Sequence, residues 1–157
     1  MLAALRDNGL SVGLVEPFML TKHTDGDLFE RSAALAAELG GVVNALCFDE
    51  ESARLQASFG RLADTACDAG AKMVVENFTL SSVCTLSDAL AIADTVGDEI
   101  GLTVDTLHVM RTRGSWADFA ALSQDRIVHV QTGDGPRIAP QGFGARGNVR
   151  THGAWHR

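Results

Sequence analysis

Four side chains in this sequence have the types and spacing to hold a metal ion and move protons. Asp105 closes the short apolar run Ile100–Asp105, and His108 follows three positions later. Glu76 stands at the end of Lys72–Asn77, and Gln131 at the end of Arg126–Gln131. An apolar run of this length reads as a buried parallel strand, and the C-terminal ends of such strands are where α/β folds place chemistry. If the three runs are neighbouring strands, their ends share one face at a spacing of ~4.8 Å. Two carboxylates and an amide oxygen there suit a hard divalent cation such as Mg2+ or Mn2+. The plainer alternative is that each polar residue only marks where a strand emerges.

The elements that must position these residues follow from the periodicity. Leu2–Arg6 reads as the last turn of a helix, stopped by Asn8-Gly9. Leu10–Glu16 reads as a strand ended by Pro17, which places Glu16 at a strand end as well. Asp27–Leu39 carries Leu28, Ala33, Leu35, Ala36 and Leu39 at helical spacing, and Gly40-Gly41 closes it. Val42–Cys47 is a second strand. Asp49–Ala69 is a long helix with Leu55, Phe59, Leu62, Ala63 and Ala66 on one face. Thr85–Val96 is a helix with Thr85 or Ser87 as its cap, and Trp116–Leu122 is a short one. His108 falls in the loop after Asp105. The strands thus recur about every 26 to 31 residues with a helix between, the βα repeat of a parallel sheet. A doubly wound sheet gives the same repeat, but no Gly-rich phosphate loop follows any strand. A (β/α)8 barrel typically takes ~250 residues, so five units make part of one.

Composition narrows the function classes. The 157 residues are 46% hydrophobic and 21% charged, a globular balance in a chain long enough for a real core. The net charge of -7 lacks the basic footprint of a nucleic-acid binder. Cys47, Cys67 and Cys84 have no CxxC spacing, and the odd count suits a reducing cytoplasm. Cys47 and Cys84 lie near strand ends, where one could line a site, but the favoured reading is small buried or surface residues. No apolar run approaches the ~20 residues of a membrane helix, and Arg6 and Asp7 interrupt any signal-peptide pattern. A cytoplasmic protein without membrane or nucleic-acid partners is expected.

The last stretch, Pro136–Arg157, breaks the pattern. It contains Arg137, Arg146, Arg150 and Arg157, no acidic residue, many glycines and no apolar periodicity. A domain over 1–135 and an irregular, poorly ordered tail over 136–157 are expected. His152 and His156 have i, i+4 spacing, but Gly153 and the surrounding composition disfavour the helix that metal binding would need.

Three blocks carry a family resemblance: Val-Val-Glu-Asn-Phe, Gly-Leu-Thr-Val-Asp-Thr-Leu-His-Val-Met-Arg, and Arg-Ile-Val-His-Val-Gln-Thr-Gly-Asp-Gly-Pro-Arg. In order and spacing they resemble consecutive blocks of the xylose isomerase-like TIM-barrel family, over roughly residues 1–137. The resemblance implies that the five strands correspond to strands three to seven of a partial (β/α)8 barrel. It implies a divalent metal (Mn2+, Mg2+ or Co2+) held by Glu76, Asp105 and Gln131, and a sugar (phosphate) isomerase or epimerase acting on a small ketose or keto acid. By the same resemblance Glu76 is also a candidate base. His108 matches an Asp-x-x-His whose His contacts substrate oxygens or carries protons, roles an imidazole's pKa suits. Arg111 matches an Arg that can grip a carboxylate or phosphate bidentately. Arg137, after Asp134-Gly135-Pro136, is a candidate of the same kind. His129 alternates with Gln131 and can face the same side, as a substrate contact or a core histidine.

Departures from the family pattern set further expectations. The first two strands, the eighth strand and its Glu ligand have no counterpart here, and the tail resembles translation in a shifted frame. A truncated chain with impaired activity, self-associating through open sheet edges, is therefore expected, with assembly from two chains as the runner-up. The alternatives in function are a 3-dehydroshikimate dehydratase-like lyase, which Gln131 mildly favours, and a non-catalytic fragment needing a partner chain. An endonuclease of the same superfamily fits least, for want of a basic groove.

Overall fold

The computed structural model describes residues 2–112 and 116–138. Most of the expected tail, with His152 and His156, lies outside the described residues. Among the described residues, β1 (Leu14–Leu20), β2 (Val42–Cys47), β3 (Lys72–Glu76), β4 (Gly101–Asp105) and β5 (Ile127–Gln131) form one sheet. The order is β1-β2-β3-β4-β5 and every pair is parallel. A doubly wound sheet reverses its order at a switch point, and this sheet does not. Helix α1 (Leu2–Asp7) precedes β1. Helices α2 (Gly26–Leu39), α3 (Ser52–Asp68) and α4 (Leu86–Ala93) fill the first three crossovers. The fourth holds α5 (Thr106–Arg111), α6 (Trp116–Ala121) and a 3-10 turn over Gln124–Arg126.

Local chemistry sets these boundaries. The Asp25 side chain accepts from Leu28 N at the start of α2, and Gly40 ends it at φ 69°, a left-handed conformation that glycine adopts without a Cβ clash. Thr85 and Asp88 cap α4 reciprocally, each side chain accepting from the other's backbone N–H. Such a cap stabilises a helix by about 1 kcal/mol.

Alternation divides the sheet into two chemical faces. Val43, Ala45 and Cys47 of β2, Met73 and Val75 of β3, and Leu102 and Val104 of β4 face the helices. They pack with Phe29, Leu55, Phe59, Leu62, Leu86 and Ile92. Phe59 and Leu62 are fully buried, and each such side chain contributes roughly 2 kcal/mol. The intervening residues Asn44, Glu76, Thr103 and Asp105 lie on the other face, which is polar. This face is concave. On a flat sheet β1 and β5 would stand ~19 Å apart, yet the Gln131 amide on β5 donates to the Glu16 carboxylate on β1 at 3.2 Å.

Several expectations shift. The first strand runs Leu14–Leu20, not Leu10–Glu16, so Pro17 sits inside it. Among the described strands β1 pairs only with β2, and the register slips between Val15 and Phe18, so a missing N–H is tolerated there. Leu28 and Leu35 of α2 are exposed, and the buried stripe is Phe29, Ala33 and Ala36. His108 is not in a loop but on α5, because Asp105 caps a new helix.

Among the described residues no strand pairs with the outer edges of β1 and β5. Val128 and Val130 of β5 stand 45% and 49% exposed, although Val130 is the register partner of buried Val104. Exposed apolar edge strands invite pairing. The 157-residue chain should therefore self-associate, and Val128→Thr with Val130→Thr should reduce the association. Size-exclusion chromatography with light scattering checks this; a clean monomer of the parent chain at high concentration would count against it.

Candidate metal centre

Asp105 does two things at the end of β4. Its Oδ1 accepts from the backbone N–H of Leu107 at 2.7 Å and of His108 at 3.3 Å, capping α5. That cap turns the chain so that His108, one helical turn on, swings back over the strand end. The His108 Nε2 then lies 3.9 Å from Asp105 Oδ2 and 3.8 Å from Glu76 Oε1. The ring is held from its other side, where Nδ1 pairs with Thr79 Oγ1 at 2.8 Å. The edge of Phe78 packs against it at 4.3 Å between centroids.

Ligand atoms of Glu76, Asp105 and His108 all lie within 4.8 Å of one another. The two distances to Nε2 are too long for hydrogen bonds. They suit ligands that share one cation at bond lengths of ~2.0–2.4 Å. Two carboxylates and an imidazole form a mixed hard and borderline donor set, which fits Mn2+ or Co2+ and, with less nitrogen affinity, Mg2+.

Glu76 is the buried centre of the group, 4% exposed. Its carboxyl is pushed up to about 7, chiefly by burial, with the Asn44 hydrogen bond pulling it down and the nearby charges of Glu16 and Asp105 pushing it up. Asn44, fully buried on β2, donates from Nδ2 to Glu76 Oε2 at 2.7 Å and to Glu16 Oε2 at 2.9 Å. Asn44 Oδ1, Thr103 Oγ1 and both side-chain polar atoms of Asn77 are buried without a hydrogen-bond partner.

The remaining candidates divide. Gln131 is the register partner of Asp105, on the neighbouring strand. His129 pairs with Thr103, which pairs with Glu76, so these three form one row across the sheet. Arg111, at the end of α5, donates from Nε to the Pro136 carbonyl at 3.1 Å and so lies over the segment after β5. Arg137 is exposed on that same segment. Glu16, mid-strand on β1, reaches both Asn44 and Gln131. Cys47 belongs to the apolar face, where burial pushes its thiol up to about 12 and leaves it inert. Sequence reasoning missed Asn44 and Thr79. Asn44 had a signal, an amide in the middle of the apolar run Val42–Cys47; Thr79 had none.

The sequence profile of the xylose isomerase-like TIM barrel matches residues 1–152, running past 137. The chain belongs to this family. The five-stranded sheet is thus part of a (β/α)8 barrel. Solved structures agree on the fold. A xylose isomerase-like TIM barrel/4-hydroxyphenylpyruvate dioxygenase fusion protein matches at TM-score 0.74 and 21% identity, over 88% of this chain and 25% of that one. A D-allulose 3-epimerase from Methylomonas sp. matches at 0.65 and 22%, over 85% and 56%. The probable 3-DHS dehydratase AsbF from Bacillus anthracis matches at 0.68 and 15%, over 82% and 53%. The chain therefore spans a quarter to little more than half of these proteins. No curated protein matches its sequence. Among the described residues no helix is long and apolar enough to cross a membrane.

The raised Glu76 carboxyl makes stability depend on pH. The folded chain holds that proton up to about 7, whereas the unfolded chain releases it near 4.5. The stabilisation is complete below 4.5 and is lost as pH rises through 7, a contribution of roughly 1–3 kcal/mol. Glu76→Gln should flatten this slope and be the more stable form at pH 8 in a chelator. Urea unfolding of both proteins between pH 5 and pH 8 measures the difference.

Proposed function

We propose that this chain carries the central part of a metal-dependent isomerase or epimerase site for a small ketose or keto acid, such as a sugar or sugar phosphate. The observation that carries the reading is the convergence of Glu76, Asp105 and His108 at the ends of neighbouring elements. In this reading Glu76 and Asp105 hold a divalent cation (Mn2+, Mg2+ or Co2+), and Gln131, beside Asp105, supplies an amide oxygen. A bound cation of this kind stabilises negative charge developing on a substrate oxygen next to the carbon that loses its proton.

The rest of the chemistry falls to the chain's own groups. Glu76 takes the proton, through the carboxylate it presents beside the cation. His108 presents Nε2 to the same point and either contacts a substrate oxygen or carries a proton, with Thr79 holding its ring. His129, in the row of Glu76, lines the same concave face as a substrate contact. Arg111 and Arg137 stand near the segment after β5, where a guanidinium can grip a substrate phosphate or carboxylate. Small-molecule substrates are favoured over nucleic acid by the net charge of -7.

A second reading, loss of water from a keto acid as in a 3-dehydroshikimate dehydratase, shares the first step, proton removal by Glu76. Gln131 at the third ligand position favours it, and a dehydratase is among the matched folds. Assay on ketoses and on dehydroshikimate separates the two.

The proposed ligands Glu76, Asp105 and Gln131 leave the other coordination positions of the cation to water or substrate. The 157-residue chain should bind Mn2+ no tighter than micromolar, and Glu76→Gln or Asp105→Asn should weaken binding at least tenfold. Isothermal titration tests this. Sub-micromolar binding by a monomer, or an unchanged affinity in both variants, would overturn the reading.

A further inference from the structure

Among the described residues, Glu16 is a carboxylate of the concave face outside the cluster of Glu76, Asp105 and His108, held by both Asn44 and Gln131. Its Oε2 accepts from Asn44 Nδ2 at 2.9 Å. Both of its oxygens accept from Gln131 Nε2, at 3.3 and 3.2 Å. Asn44 passes the connection on, since the same Nδ2 donates to Glu76 Oε2. A chain of contacts thus runs Gln131, Glu16, Asn44, Glu76 around the strand ends.

A side-chain amide has two ends of opposite character, an NH2 that only donates and an oxygen that only accepts. An ionised carboxylate only accepts, so it selects the NH2 end. With both Glu16 oxygens engaged by Nε2, Gln131 is held with its nitrogen toward β1, which leaves Oε1 as the end available to a ligand. The reversed amide would set Oε1 against the Glu16 oxygens, with no proton between them. Asn44 is selected in the same way: its nitrogen is shared by two carboxylates, and its oxygen, buried without a partner, is turned away from both.

We infer that Glu16 is a positioning residue of the metal centre, a carboxylate that fixes the Gln131 amide with its oxygen free for the cation. The inference rests on the reading that Gln131 is a ligand. Groups that orient a ligand from behind are typically worth ~10–100-fold in metal affinity. Glu16 is itself exposed, so its replacement should leave folding intact.

The test is a double-mutant cycle on Mn2+ affinity, read by isothermal titration and by the paramagnetic resonance of free Mn2+. Glu16→Gln can accept or donate and no longer selects an amide end; Glu16→Asp keeps the charge but shortens the reach. Both should weaken Mn2+ binding about tenfold with the unfolding midpoint unchanged. In a Gln131→Ala background the same substitutions should have little further effect, because the amide they orient is gone. Loss of the Glu16 charge alone would weaken binding equally in both backgrounds, and that additive outcome would overturn the proposal. So would full Mn2+ affinity in Glu16→Asp. An unchanged affinity in Gln131→Ala would instead remove Gln131 from the ligand set, and with it the reading beneath the proposal.

Discussion

A carboxylate is hard to bury, and Glu76 is buried. Its ionised form must be compensated by donors or a cation, or the group must hold its proton. Each feature of the concave face bears on that constraint. Asn44 brings a donor from β2, and His108 brings an imidazole from α5. Asp105 and Glu16 bring further negative charge, which only sharpens the demand for a cation. A divalent ion bound among Glu76, Asp105 and His108 would offset that charge.

The parallel sheet makes this possible by separating two tasks that conflict. Alternation sends Val75, Leu102 and Val104 to the helices and Glu76, Thr103 and Asp105 to the concave face, so each strand is at once core and site. The apolar half supplies the burial that keeps the strands in register. Register then fixes the polar half: Asp105 beside Gln131, and Glu76 beside Thr103 beside His129. A slip of one residue in β4 would turn Asp105 into the helix layer and Val104 into the site. The geometry of the polar face and core packing are therefore coupled.

This coupling explains what could be read from the sequence. Strand repeats, helix faces and the three strand-end ligand candidates were legible because each is a local pattern with a period. Val42–Cys47 is recovered residue for residue, and the buried face of α3 is the one its spacing indicates. The first strand was misplaced because a proline reads as a terminator, whereas an edge strand with a register slip accommodates it. His108 was read as loop because a six-residue helix is too short to show a period, and its start depends on the Asp105 cap. Glu16 meeting Gln131, 115 positions away, depends on the curl of the whole sheet, which no local window contains.

The amide at position 131 deserves a different physical account from an imidazole in its place. An imidazole titrates near neutrality, so it would compete with His108 and Glu76 for protons and weaken as a ligand when acidified. An amide oxygen does neither. In the proposed site it would hold a cation without joining the proton inventory, leaving acid–base work to Glu76 and His108. The amide brings one liability: its two ends are nearly the same shape and opposite in character, so steric fit alone cannot orient it. Only an electrostatic contact can, and the acceptor must itself be unable to donate. A carboxylate reaching across the concave face meets that requirement, and curvature of the sheet is what brings it within 3.3 Å.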